Sequence, residues 1–148
     1  IGGPVGPSGG LFLLVVVFLV VFAVWLSCPV TAQELKGRAR SIDGDTIWLA
    51  GVKIRLNGID APEAGQPRFR AAARALEKVT AGKIVECQLN GEKSYDRYIG
   101  VCFVGETDVA AAVIASGNAL DCRRYSGGRY KKFETPDARR FIRQAPYC

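Results

Sequence analysis

With 148 residues, the chain is long enough for one domain with a hydrophobic core and little more. Its 20 basic and 14 acidic residues give a net charge of +6, which favours a polyanionic partner such as nucleic acid or another acidic surface. The chain contains no histidine, which excludes His-based triads, His-ligated zinc and imidazole acid–base chemistry. Any proton transfer would therefore fall to carboxylates, lysine, tyrosine or water.

Residues 1–32 carry no charge and include an unbroken run of sixteen apolar residues, Leu11 to Leu26. The run is short for a membrane-spanning helix and has the length of the apolar region of a secretory signal peptide. Val30 and Ala32 place small residues where signal peptidase requires them. We therefore expect a signal peptide over 1–32, cleaved near Ala32, and an exported (periplasmic or secreted) domain over 33–148. An uncleaved membrane anchor is the alternative.

From Leu35 onwards the sequence has the alternation of short strands. The segment "LKGRARSID" leads into a predicted hairpin over "DGDTIWLAGVKIRL", with its turn at Ala50-Gly51. On the second arm of this hairpin the apolar side chains share one face, and Lys53 and Arg55 project from the other. A basic strand face next to polar turns is a candidate position for a functional site.

Apolar residues at helical spacing predict a helix from about Pro67 to Thr80. Two strands follow, "KIVECQL" and "YIGVCFV", separated by the polar segment "NGEKSYDR". Asp108 is expected to cap a short helix over 109–116, and Thr135-Pro136 to open the last helix. Five short strands with about three helices predict an α+β fold, a small partly open barrel with helices around it.

Four cysteines lie outside the predicted leader, and Cys28 would leave with it. An even set is compatible with two disulfides in an oxidising compartment. Cys87 and Cys102 fall in the middles of two strands expected to be antiparallel neighbours, so we predict that they form a disulfide. Cys122 would then pair with Cys148 and pin the C-terminal helix to the loop that carries Tyr125.

Four polar groups recur in the predicted turns: "DGDT" at 43–46, Arg55, "DAPE" at 60–63 and "YDR" at 95–97. Together with a later G-x-A before a tyrosine-containing loop, this pattern resembles the thermonuclease (staphylococcal nuclease-like) family over essentially all of residues 35–145. The resemblance implies an OB-fold, a five-stranded Greek-key barrel with helices. It also implies calcium-dependent cleavage of phosphodiester bonds in DNA and RNA.

The resemblance assigns calcium ligands to three positions. Asp45 and Asp60 match the family's calcium carboxylates, and Ala61 matches a threonine that lends its backbone carbonyl to the ion. Calcium is a hard cation that takes roughly six to eight oxygen ligands. Two carboxylates, one carbonyl, phosphate and water can supply them, which leaves the site open to substrate.

The resemblance also assigns the catalytic and substrate-binding roles. Glu63 matches the general base, and Arg55 and Arg97 match the two arginines on the scissile phosphate. Such a phosphate gains negative charge during attack, which permanently charged, bidentate guanidiniums stabilise better than lysines do. Tyr95 and Tyr125 match tyrosines that line the nucleotide pocket.

The sequence departs from the family pattern at two positions. Asp96 replaces a glycine that usually lies between the tyrosine and the arginine, and Arg123 stands where a second pocket tyrosine is expected. These departures affect the expected nucleotide preference and leave the predicted chemistry unchanged.

Other interpretations of the same residues remain open at this point. "DGDT" is also a common turn sequence, Arg97 could be a solvated loop charge, and Tyr125 could be a packing residue. The main alternative function is a non-catalytic nucleic-acid-binding module on the same barrel. A sugar-nucleotide enzyme using Asp43 and Asp45 is disfavoured because the chain lacks a dinucleotide-binding βαβ unit. We expect a monomer that binds DNA or RNA, with no protein partner inferred.

Overall fold

The structure, a computed structural model, describes residues 2–3 and 33–148. The predicted signal segment therefore lies outside the described residues, apart from Gly2 and Gly3. In the described ranges, no helix has both the length and the apolar character needed to cross a bilayer.

Eight strands and four α-helices make up the described part of the chain. In chain order they are β1 (Glu34–Ser41), β2 (Thr46–Leu49), β3 (Val52–Leu56), β4 (Ile59–Asp60), α1 (Phe69–Thr80), β5 (Ile84–Ser94), β6 (Arg97–Val104), β7 (Thr107–Asp108), α2 (Val109–Ala115), β8 (Leu120–Asp121), α3 (Arg123–Ser126) and α4 (Pro136–Phe141), with a 3₁₀ turn at Lys131–Phe133 before α4.

Five of these strands close into a barrel. Strand β1 pairs antiparallel with β2 and with β5, β2 pairs with β3, and β5 pairs with β6. A parallel pairing of β3 with β6 then closes the ring, with Lys53 opposite Arg97 and Arg55 opposite Ile99. The expected α+β barrel of the OB type is confirmed. The strand pattern of the sequence suggested a partly open barrel, whereas the β3–β6 pairing closes it.

The β2–β3 hairpin turns at Ala50-Gly51, as predicted. Both residues have positive φ, 49° and 85°, which is the backbone of a type I′ turn whose twist matches that of the flanking strands. Four apolar residues of the hairpin, Ile47, Leu49, Ile54 and Leu56, are fully buried in the barrel, whereas Val52 is partly buried and Trp48 is exposed. Lys53 and Arg55 consequently lie on the outer face of β3.

The β5–β6 hairpin is longer than the sequence suggested. Strand β5 continues through most of the polar segment to Ser94, with a bulge between Leu89 and Lys93, and the reversal occurs at Tyr95-Asp96. Backbone pairing with β6 does not require apolar side chains, so exposed polar residues can form this part of the strand. The extension brings Ser94 opposite Arg97.

Helices α2 and α4 begin at the predicted caps. The Asp108 carboxylate accepts a hydrogen bond from Ala111 N, and the Thr135 hydroxyl accepts one from Ala138 N, both at 3.1 Å. Helix α1 begins at Phe69, two residues later than expected, because Arg68 has a left-handed backbone conformation (φ 68°).

Both predicted disulfides are present. Cys87 and Cys102 lie directly opposite each other on β5 and β6, with their Cα atoms 4.0 Å apart. Cys122 and Cys148 are joined with their Cα atoms 4.6 Å apart. The second disulfide holds the C-terminal residues against the beginning of α3.

Candidate active site

A cavity of about 800 Å³ opens beside the end of β3 and the β5–β6 turn. It brings together five of the eight predicted site residues: Arg55, Glu63, Tyr95, Arg97 and Tyr125. The remaining three, Asp45, Asp60 and Ala61, are 3%, 3% and 5% exposed and do not line the cavity. The predicted phosphate and nucleotide residues are therefore accessible, and the predicted calcium ligands are buried.

The "DGDT" loop is packed tightly against the "DAPE" turn. A Cβ placed on Gly44 would lie 2.7 Å from the Cβ of Ala61 and 2.6 Å from the Cβ of Ala72 on α1, so any larger residue would collide. The loop is an Asx turn, in which the Asp43 carboxylate accepts a hydrogen bond from Asp45 N at 3.0 Å. The segment is therefore a structural turn, and the same turn positions Asp45, whose role as a calcium ligand stays a prediction.

Asp45 forms a buried ion pair with Arg55. Arg55 Nη1 lies 2.6 Å from Asp45 Oδ2, and the Thr46 hydroxyl donates to Asp45 Oδ1 at 2.9 Å. Burial raises the pKa of the Asp45 carboxyl, and the nearby guanidinium opposes that rise. For Arg55, burial acts in the opposite direction and lowers the pKa of the guanidinium. The negative charge of Asp45 raises that pKa, with smaller contributions from Tyr147 and Glu63, and the net result is a raised pKa.

Arg97 approaches the same carboxylate through Thr46. Its Nη1 donates to the Thr46 hydroxyl at 3.3 Å, and its Nη2 donates to the Ser94 hydroxyl at 3.2 Å. These bonds hold a partly buried guanidinium at the wall of the cavity. Arg97 is therefore not a freely solvated loop charge, and Thr46 connects it to the Asp45–Arg55 pair.

Asp60 ends strand β4, which pairs with β8. Its Oδ2 accepts a hydrogen bond from the backbone N–H of Ala145 at 2.7 Å. Burial raises the pKa of Asp60, while the Ala145 hydrogen bond and the charge of Arg55 oppose this. The C-terminal residues of the chain thus contact one of the two predicted calcium ligands.

Glu63 is exposed and lines the cavity, in a turn whose backbone is fixed locally. The N–H of Glu63 donates to the side-chain Oε1 of Gln66, and the N–H of Gln66 donates to the carbonyl of Glu63, both at 2.9 Å. The preceding Pro62 is buried and restricts the backbone further. A carboxylate held this way is accessible to a substrate and to water.

The two predicted pocket tyrosines differ in their surroundings. Tyr95 is 92% exposed at the tip of the β5–β6 hairpin, with a positive φ of 58°. The neighbouring Asp96, the departure from the family pattern, forms an exposed ion pair of 2.6 Å with Lys53 on the neighbouring strand β3. Tyr125 is half exposed on α3. Arg123 lines a different, smaller cavity of about 490 Å³ instead.

Asp45 and Asp60 offer carboxylate oxygens, the donor type that a hard cation such as calcium takes, and these oxygens already contact Arg55, the Thr46 hydroxyl and Ala145 N. Both side chains are oxygen donors, and Glu63 and Arg55 lie within electrostatic range of each. No cluster of three or more His, Cys, Asp or Glu side chains that could hold a metal occurs among the described residues. A calcium ion takes roughly six to eight oxygen ligands, so a site built on these two carboxylates would also need phosphate and water.

Sequence reasoning missed four residues that the structure places around this site: Thr46, Ser94, Ala145 and Tyr147. Thr46 and Ser94 belong to the quoted "DGDT" and "NGEKSYDR" segments, but their hydroxyls became informative only once the β-strand register was known. Tyr147 precedes a cysteine whose predicted pairing with Cys122 brings the end of the chain near Tyr125. The predicted disulfide was therefore the one feature of the sequence that could have placed Tyr147 near the site.

Comparison with known proteins identifies the family. A family model described as "Staphylococcal nuclease homologue" matches residues 53–140, which include seven of the eight predicted site residues and exclude Asp45. The chain is 35% identical over 111 residues to the succinoglycan biosynthesis protein ExoI of Rhizobium meliloti (strain 1021), covering 67% of this chain and 58% of that protein.

Two further relatives are named as nucleases. An uncharacterized endonuclease of Escherichia coli O157:H7 is 32% identical over 106 residues, covering 68% of this chain and 69% of that protein. The probable staphylococcal-like nuclease CAN3 of Oryza sativa subsp. japonica is 28% identical over 85 residues, covering 57% of this chain and 22% of that protein. The chain belongs to the staphylococcal nuclease homologue family.

Proposed function

We propose that this chain is a calcium-dependent nuclease that hydrolyses phosphodiester bonds of DNA, RNA or both. The observation that carries the proposal is the meeting of Arg55, Arg97 and Glu63 at one open cavity, beside the two buried carboxylates of Asp45 and Asp60. Family membership and the nuclease names of its relatives support the same reaction class.

The two arginines would bind the scissile phosphate from different strands. Arg55 belongs to β3 and Arg97 begins β6, and these strands are hydrogen-bonded neighbours. Guanidiniums keep their charge at any working pH and can bond two phosphate oxygens at once. They therefore suit a transition state in which negative charge grows on those oxygens.

Glu63 would act as the general base that takes a proton from the attacking water. It is the carboxylate of the proposed set that is both exposed and in the cavity, whereas Asp45 and Asp60 are buried. Asp45, Asp60 and the backbone carbonyl of Ala61 would hold the calcium ion. When bound, the ion would neutralise charge on the phosphate and orient it.

Tyr95 and Tyr125 would bind the nucleotide next to the scissile bond. Aromatic side chains stack on bases with little sequence preference, so this arrangement predicts nucleic acid binding without defining DNA or RNA.

The test is cleavage of supercoiled plasmid DNA and of a single-stranded RNA by the purified full chain, with calcium and then with excess chelator. The Glu63→Gln variant, purified in parallel, controls for contaminating nucleases. Cleavage that needs calcium and is lost in the variant supports the proposal. Nucleic acid binding without cleavage would instead establish the non-catalytic binding module.

We also propose that the domain is exported. Its four cysteines of residues 33–148 form two disulfides, which persist in oxidising compartments. Expression of the full-length precursor and mass spectrometry of the product would test this. A new N-terminus near residue 33 supports export with cleavage, an uncleaved product in the membrane fraction supports an anchor, and a soluble cytosolic product contradicts both.

A further inference from the structure

The C-terminal residues 142–148, here called the tail, are fastened to the domain at four points. Ile142 is buried in a small apolar cluster, and the Gln144 side chain donates to the carbonyl of Asp121 at 2.7 Å. Ala145 N donates to the Asp60 carboxylate, and Cys148 is disulfide-bonded to Cys122. The tail is therefore part of the folded domain and is held across the region of the proposed active site.

Tyr147 lies between the last two of these attachments and lines the same cavity as Arg55, Glu63 and Tyr125. Its side chain is 46% exposed, so one part packs on the domain and another part is open to the cavity. Partial burial raises the pKa of the Tyr147 hydroxyl, and the positive charge of Arg55 lowers it. The negative charges of Asp60, Glu63 and Asp45 raise it further. Tyr147 therefore lies within electrostatic range of the principal charged groups of the site.

We propose that Tyr147 is a substrate-positioning residue, which stacks on a nucleobase beside the scissile phosphate and is held there by the Cys122–Cys148 disulfide. This inference rests on the proposed nuclease function. An aromatic ring that is half exposed beside a phosphate-binding arginine can offer its face to a base at low entropic cost. The tail then adds an aromatic surface to the one that Tyr125 provides.

The disulfide also couples Tyr147 to Asp60. Ala145 and Tyr147 are two residues apart, and Cys148 N donates to Ala145 O at 3.1 Å, so both belong to one hydrogen-bonded turn. If the disulfide is removed, the tail loses the covalent attachment next to Tyr147. Tyr147, the tail residue next to the lost attachment, would then leave its position in the cavity, and the weakened turn would also hold Ala145 N less firmly against Asp60.

The first test compares steady-state cleavage of a short single-stranded DNA oligonucleotide in saturating calcium. Tyr147→Ala should raise KM about tenfold with little change in kcat, the order expected for the loss of one stacked base. Tyr147→Phe should keep KM within about twofold, because stacking does not need the hydroxyl. Phe141→Ala removes an exposed aromatic residue of α4 outside both cavities and should leave both constants unchanged.

The second test is a double-mutant cycle with the disulfide-free variant Cys122→Ala/Cys148→Ala, whose folding is verified by circular dichroism. That variant should show the KM of Tyr147→Ala, and adding Tyr147→Ala to it should change KM no further. Additive effects would overturn the role of the disulfide. Should the variant fail to fold, the comparison of Tyr147→Ala with Tyr147→Phe decides the inference.

The failure of this inference and the failure of the proposed function give different results. A wild-type chain that cleaves the oligonucleotide while Tyr147→Ala keeps its KM overturns the positioning role alone. A wild-type chain that neither binds nor cleaves nucleic acid overturns the nuclease function, and the positioning role with it.

Discussion

Arg55 Nη1 lies 2.6 Å from Asp45 Oδ2, and both side chains are largely buried. The pair joins a residue proposed to bind phosphate to one proposed to bind calcium. Each charge compensates the other in a region from which water is mostly excluded. The Thr46 hydroxyl extends this pair to Arg97, so three proposed site residues form one connected network.

The buried pair predicts a stability effect that the sequence did not suggest. From the motif alone, Asp45→Ala should remove activity and leave the fold intact. In the structure the same change leaves the Arg55 charge buried without its partner, so it should lower the free energy of unfolding by about 3–5 kcal/mol. Urea denaturation followed by circular dichroism measures this effect.

Two variants control the Asp45 experiment. Glu86→Ala breaks an exposed ion pair with Lys36 on the barrel surface and should change stability little. Arg55→Met combined with Asp45→Ala removes both charges and should recover much of the lost stability. Equal losses for Asp45→Ala and Glu86→Ala would contradict the importance of the buried pair.

Gly44 is predicted to be required for full stability because of its close approach to Ala61 and Ala72. Gly44→Ala should cost about 1–3 kcal/mol of stability, since the added methyl group meets two fixed Cβ atoms. The matched control is Gly37→Ala in β1, where the added Cβ would lie at an ordinary 3.4 Å from Leu49. Thermal unfolding of the two variants should differ clearly, and equal melting temperatures would contradict the predicted collision.

The Cys87–Cys102 disulfide should stabilise the barrel without affecting the site. It links β5 to β6 across a separation of 15 residues, and Cys87→Ala/Cys102→Ala should cost about 3 kcal/mol in the chain-entropy treatment. Urea denaturation of the variant and the wild type measures this loss. KM for the oligonucleotide should stay unchanged, whereas it should rise in the variant that lacks the Cys122–Cys148 disulfide. A raised KM in Cys87→Ala/Cys102→Ala would contradict the prediction that this disulfide serves stability alone.

Arg97→Lys should reduce turnover on the order of 10²–10³-fold in saturating calcium. A lysine cannot reproduce the planar guanidinium that bonds the Thr46 and Ser94 hydroxyls and still presents donors to a phosphate. Arg74→Lys on the exposed face of α1 is the matched control and should be nearly silent. Equal turnover in the two variants would show that Arg97 does not act on the substrate.

Several features could be predicted from sequence because they depend on local patterns. Alternation identified the strands of the barrel, Ala50-Gly51 its first turn, and Asp108 and Thr135 the helix caps. The Cys87–Cys102 disulfide followed from the expected pairing of β5 with β6, and the Cys122–Cys148 disulfide from the two cysteines that remained. Five of the predicted site residues do line one cavity, although their catalytic roles stay predictions.

The remaining features depend on contacts between segments that are distant in the chain. The Asp45–Arg55 pair requires the register of two strands, and a motif does not give side-chain burial. The extension of β5 to Ser94 depends on backbone pairing with β6, which polar side chains do not signal. Tyr147 belongs to no part of the quoted motif, and its position follows from the disulfide and from the bond of Ala145 to Asp60.

The most direct test of the proposed mechanism is the single-turnover rate of DNA cleavage by Glu63→Gln in saturating calcium. Glu106→Gln, in an exposed turn outside the cavity, is its control. If Glu63 is the general base, its variant should bind calcium and the oligonucleotide as the wild type does and lose on the order of 10²–10⁴ in rate, while the control keeps the full rate. A Glu63→Gln variant that cleaves DNA at the wild-type rate would contradict the mechanism.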